Sequence, residues 1–227
     1  MVFHSNQREK CMDLQELERI VAEILQRAEL TQGIERYQEL LYLLKEKHVN
    51  VADDEHFQHL YRNFYALSHR VASFYPAYFN AFQDALTTPD MSHREIFDTI
   101  SEISHFCEIS FSSKILHNLN QNIPIYDSIV GWYHFGFKFI KSQKLDFAGN
   151  KQIAWDMYLE YKKQFMEYMK SNDAKLIVQM FDDAFPQYKT LFTAVKKVDF
   201  VLWQDRIKVD GNIITRIQIP DQYKCQQ

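Results

Sequence analysis

Glycine and proline are both scarce, five of each in 227 residues. An all-β fold turns the chain often, and its turns draw on these two residues, so their shortage disfavours that class. It also disfavours sites that cradle phosphate on a glycine loop. Neither the P-loop pattern nor the dinucleotide-binding glycine pattern occurs, which makes kinases, nucleotide hydrolases and Rossmann enzymes poor fits. Cysteine is thin too. Cys11, Cys107 and Cys225 are odd in number and widely scattered, and fit neither a disulfide framework nor a zinc site. The paired cysteines of a zinc deaminase and the cysteine cluster of an iron–sulfur protein are missing, as is the G-x-S-x-G elbow of a serine hydrolase. No cofactor and no metal is expected. No apolar run approaches the roughly 18–20 residues of a membrane-spanning helix. The N-terminal stretch MVFHSNQREKCMDL lacks the apolar stretch and small-residue cleavage site of a secretory signal. A protein of the reducing cytoplasm, without a membrane partner, is the expectation.

Apolar residues, by contrast, are plentiful. Hydrophobic residues make up 46% and aromatics 15% of the chain, too much for a disordered segment and enough for one good core. The net charge of −4 is unevenly spread: residues 1–110 carry 10 Lys/Arg against 18 Asp/Glu, and residues 111–227 carry 16 against 12. The second half has room for a local basic face, although a scattered, solvated surface is the default account of these lysines.

Helical periodicity dominates. Asp13 with Glu16 resembles a capping box that opens an amphipathic helix carrying Leu14, Leu17, Val21, Ile24 and Leu25 on one face. Gly33 breaks the pattern, which resumes through Leu44. HFQHLYRNFYALSHRVASFY reads as a third helix ending near Pro76, and Ser92 with Glu95 forms a cleaner capping box for the helix that follows PAYFNAFQDAL. A helix near 111–119 gives way to the turn-prone NQNIP, and Asp127 or Ser128 caps the next helix. KSQKLDFAGN reads as a loop before a long helix, and two more helices follow. RIKVDGNIITRIQIP alternates around Asp210-Gly211, a strong hairpin signal. The fold class predicted is all-α: one domain, or two helical lobes sharing a core, with a short C-terminal β-hairpin. Residues 13–110 form the helical scaffold, 111–204 the functional helical core, and 205–227 the hairpin and tail.

Two constellations bear chemistry. Asp53, Asp54, His56 and His59 place nitrogen and oxygen ligands near one another, but without the spacing of a zinc protease, and an acidic helix start explains them. Lys114 and Asp127 are more pointed. Lys114 lies in an apolar run, where burial lowers the pKa of an amine and makes it a usable nucleophile. Asp127 lies 13 residues on, at a helix start that favours its carboxylate. Together they suit amine attack at an electrophilic carbon; the simpler reading is that Lys114 snorkels from its helix and Asp127 is an N-cap alone.

The run of lysine, apolar helix and Pro-Ile-Tyr-Asp-Ser-Ile-Val resembles the core of the helix-hairpin-helix DNA glycosylases. Lys114 matches that superfamily's hairpin lysine, Asp127 its catalytic aspartate and Val130 the valine after it. The segment is also similar to bacterial proteins of unassigned role with a Ser-Lys-x-Leu-His…Pro-Ile-x-Asp-Ser pattern (Ser113, Lys114, Leu116, His117, Pro124, Ile125, Asp127, Ser128) and a later Lys196, Asp199 and Trp203. The likeness covers about residues 95–135 and 190–204. It implies a DNA partner and base excision, with Lys114 and Asp127 catalytic. The family's hairpin turn is glycine-rich because backbone amides approach a DNA phosphate there. This chain has no glycine at that point and offers Ser110, Ser112 and Ser113 as phosphate donors instead. Trp132 would stack on an extruded base, or else belong to the core, as aromatic runs on helices usually do. Asp199 is expected to pair with a buried donor and Trp203 to sit in the core. The rival expectation is a non-catalytic interaction domain on the same scaffold.

Overall fold

Short polar side chains mark most helix starts, because an oxygen there satisfies backbone N–H groups that have no partner within the helix. The computed structural model describes residues 12–67, 70–88 and 90–225. In it Asp13 caps α1 (Leu14–Leu25), and α2 (Ala28–Lys45) follows without a side-chain cap. Asp54 caps α3 (Glu55–Phe64), uncapped α4 (Phe74–Thr87) comes next, and Ser92 with Glu95 closes a full capping box on α5 (His93–Ser104). Beyond α6 (Ile109–Leu119), Asp127 opens a π-helix, Ser128–His134. Asp146 caps α7 (Phe147–Tyr168), Ser171 caps α8 (Asn172–Ala184) and Thr193 caps α9 (Ala194–Gln204). The fold is all-α with a short C-terminal hairpin. Strands β1 (Ile207–Val209) and β2 (Asn212–Ile214) pair antiparallel, with Val209 opposite Asn212. Asp210 and Gly211 both take positive φ, 50° and 80°, as a two-residue type I′ turn demands.

Several boundaries differ from expectation. Glu16 bonds Arg19 at 2.8 Å and forms no capping box with Asp13. Gly33 lies inside α2 and does not break it; the break falls at 26–27. The predicted helix through residues 56–75 stops at Phe64. Ala66, at φ 50°, turns the chain away, and α4 restarts at Phe74 with Pro76 in its first turn, where a missing N–H costs nothing. The long helix after the 141–150 loop starts earlier than expected, at Phe147. Cys11 lies outside the described residues.

Buried apolar side chains from α1 through the tail form one continuous cluster. Helix α6 packs against α4, α5 and α7, while α9 packs against α1, α2, α8 and the π-helix. Both helices are covered on nearly every side, so polar residues on them must find partners inside the protein. Among the described residues no helix is long and apolar enough to cross a membrane.

Candidate functional site

Lys114 is a product of the burial of α6. Only 5% of the residue is exposed, and its side chain curls back one turn, as long helical side chains do. Nζ donates to Ser110 O at 2.8 Å and to Ser110 Oγ at 2.7 Å. The rings of Tyr65 and Phe111 stand 6.0 Å from the ammonium. Burial pushes the Lys114 pKa down to about 8, against the opposing pull of the Asp127, Asp199 and Glu108 carboxylates.

Asp127 is delivered by an extended segment whose polar groups are held from several sides. The Tyr126 N–H donates to Ser113 Oγ at 3.1 Å, and the same hydroxyl lies 3.3 Å from Tyr126 O. Tyr161 donates its hydroxyl proton to Ile125 O at 2.7 Å, and Tyr126 to Phe137 O at 2.8 Å. The Tyr126 ring lies flush on Gly131, where an added Cβ would meet it at 2.4 Å, so only glycine fits. Asp127 Oδ1 then accepts from the Ile129 and Val130 amides, both at 2.8 Å. Burial raises its pKa above the ordinary carboxylate value and Asp199 adds to the rise, while Lys114 and the two amides pull it back.

Both residues line one cavity of about 560 Å³, with Ser110, Trp132, Lys138, Lys196, Asp199, Trp203 and Arg206 among its other walls. That volume lies within the roughly 300–1,000 Å³ typical of small-molecule pockets. No ion pair within 4 Å joins Lys114 to Asp127 among the described residues; both line the cavity. Four cationic side chains, Lys114, Lys138, Lys196 and Arg206, face two carboxylates, Asp127 and Asp199. The wall is therefore cationic in a chain of net charge −4.

The other candidates divide. Trp132 is on the wall, half-buried, with Lys138 Nζ 4.0 Å from its ring centre. Ser110 is there too, holding the Lys114 amine. Ser112 and Ser113 are not available to a phosphate. They are 2% and 1% exposed, and their hydroxyls bond inward, Ser112 to Glu108 O at 2.7 Å and Ser113 to the Tyr126 backbone. The reason is packing: with α6 covered all round, neither hydroxyl reaches the surface. Trp203 is not a core residue but a half-buried wall of the cavity, with the Arg206 guanidinium 3.8 Å above its ring.

Asp199 bonds Lys196 at 2.9 Å. Lys196 is a second buried amine that sequence reasoning gave no role. The available signal was a lysine and an aspartate three apart on a mostly apolar helix, a pair that must meet if both are buried. The chain matches no family model, no curated protein and no solved structure.

Proposed function

We propose that the cavity receives a nucleotide turned out of DNA and that Lys114 displaces its base. The observation that carries this is the Lys114 amine: buried, with a pKa of about 8, facing a cavity that Asp127 shares. A useful fraction of such an amine is neutral near physiological pH. Its lone pair forms a bond to the sugar C1′ as the C1′–N bond breaks, and the electron pair leaves with the base. The proton that Lys114 then loses goes to the departing base. The nitrogen lone pair then forms the C1′=N bond as the C1′–O4′ pair moves onto O4′; O4′ takes a proton from water, and the hydroxide so formed takes the remaining N–H proton, leaving an imine between Lys114 and C1′. Asp127 stabilises the positive charge that builds on the sugar; its Oδ1 is fixed by two amides, so it needs no reorganisation. The cationic wall suits an anionic backbone at the mouth.

Borohydride reduces such an imine to a stable cross-link. Wild type should trap on duplexes carrying damaged bases and Lys114→Ala should not, while keeping its helical circular dichroism. Equal trapping by both proteins would end the nucleophile assignment.

A second reading has its own support, because Lys114 and Asp127 both hold structural bonds, to Ser110 and to the start of the π-helix. A non-catalytic interaction domain would need nothing more of them. DNA binding that weakens with salt separates the two, since counterion release follows from phosphate contact; absence of binding even at low salt favours the interaction domain.

A further inference from the structure

The reaction proposed above leaves one buried ion pair of the cavity unused. Lys196 and Asp199 are 1% and 5% exposed, and Lys196 Nζ bonds Asp199 Oδ2 at 2.9 Å. Tyr37 and Phe200 put their ring centres 4.3 and 4.4 Å from the ammonium, with Phe64 and Tyr65 further out at 5.2 and 5.9 Å. The ammonium is caged by these rings, and it anchors one oxygen of the carboxylate in turn. The other oxygen, Oδ1, has no hydrogen-bond partner among the described residues, and Asp199 lines the cavity.

Burying two charges is costly, and well-packed apolar residues would fill a helix core at least as well. The pair therefore calls for a use. A carboxylate accepts hydrogen bonds only, and a fixed one on an aromatic wall discriminates sharply. A ligand with a matching N–H satisfies it; a ligand without one leaves a buried charged acceptor unpaired.

We propose that Asp199 reads the base turned into the cavity, its Oδ1 accepting a hydrogen bond from an N–H donor on the ring edge. Lys196 is the positioning residue, holding Oδ2 so that Oδ1 stays presented. The site then takes heterocycles that carry an exocyclic amine or ring N–H on that edge and rejects analogues that lack it. This rests on the cavity being a nucleotide pocket. It adds to that proposal the chemical feature selected.

The test is fluorescence anisotropy with duplexes that carry one unpaired, bulged nucleotide, so that no base pair must be broken on binding. Three pairs of probes are compared: deoxyadenosine with purine deoxyriboside, deoxycytidine with 2-pyrimidinone deoxyriboside, and thymidine with N3-methylthymidine. In at least one pair the donor-bearing member should bind wild type roughly 10- to 100-fold more tightly, the scale of a hydrogen bond to a buried charge. Asp199→Asn should bring that ratio within about twofold and leave the salt slope unchanged, because no phosphate contact is lost. Asp199→Glu, which keeps the charge but displaces the oxygen, should lose the ratio too and serves if the asparagine variant does not fold. Equal binding within every pair by wild type would overturn the role of Asp199 while leaving the nucleotide pocket standing. So would a uniform loss on all probes in the variants, which is what a structural role predicts. No binding of any duplex at low salt would overturn both proposals.

Discussion

Ser113 clasps Tyr126 on both of its backbone groups. One hydroxyl accepts the Tyr126 N–H at 3.1 Å and lies 3.3 Å from the Tyr126 carbonyl, doing for a single residue what a neighbouring strand does in a sheet. The contact joins α6, which carries Lys114 on the next residue, to the segment that delivers Asp127. It therefore sets the distance between the two candidate catalytic groups. Ser113→Ala would leave the Tyr126 N–H without a partner inside the protein, at a cost of about 1–3 kcal/mol. In a domain of this size that is a fall in Tm of roughly 2–4 °C per kcal/mol. Trapping should fall more than thermal stability alone explains, because the Asp127 segment loses its register. A Ser113→Ala protein with unaltered melting and trapping would show the clasp to be idle.

Gly131 and Tyr126 form a second fixed contact. A methyl group at position 131 would meet the Tyr126 ring at 2.4 and 2.5 Å, with the ring's hydroxyl tied to Phe137 O. Gly131→Ala should destabilise by about 1–3 kcal/mol, as overpacking does. In a double-mutant cycle with Tyr126→Leu the two effects should couple by more than about 0.5 kcal/mol, since the smaller side chain makes room. Additive losses would mean that the strain is relieved elsewhere.

Lys114 links pH to both stability and chemistry. Its pKa of about 8 lies below the ordinary 10.5, so between these values the unfolded chain holds more protons than the folded one. Stability should thus rise with pH across that window, and below pH 8 the folded protein carries a charged-amine penalty of about 3 kcal/mol at most. Lys114→Met removes the penalty. It should melt higher than wild type at pH 7, and the gap should close as pH approaches 10.5. The rate of borohydride trapping by wild type should rise through pH 8 and level off above it. A trapping rate independent of pH between 6 and 9 would place the nucleophile elsewhere.

Much of this architecture is local in origin, and that part was legible. Asp13, Ser92 and Asp127 cap helices through bonds to residues within three positions, and the Asp210-Gly211 turn needs only its own two backbones. What could not be read is set by distant partners. The end of α3 at Phe64 has no glycine or proline to announce it. Lys196 is caged by Tyr37 from α2 and by Phe64 and Tyr65 at the end of α3, more than 100 residues away in sequence. The burial of Ser112 and Ser113 was hidden for the same reason. A hydroxyl on a helix looks equally able to meet phosphate or carbonyl until its neighbours are known, and here α4, α5 and α7 enclose the helix. Lys114 and Asp127, which line one cavity, stood out in the sequence because an isolated charge in an apolar run is unusual whatever surrounds it.

The mouth of the cavity offers a test that does not depend on chemistry. Arg206 and Lys138 are exposed, and each stacks its charge on a tryptophan of the wall, Arg206 on Trp203 at 3.8 Å and Lys138 on Trp132 at 4.0 Å. A cation held on an aromatic face keeps its donors free for a phosphate oxygen while giving up little freedom. If DNA reaches the cavity, Arg206→Gln and Lys138→Gln should each lower affinity similarly for every sequence. Each should also reduce the slope of log K against log salt by about 1, the signature of one lost phosphate contact. Both positions are solvent-exposed and outside the core, so melting temperatures should stay close to wild type. An unchanged slope in both variants would remove these residues from the DNA path and place the phosphates on another face.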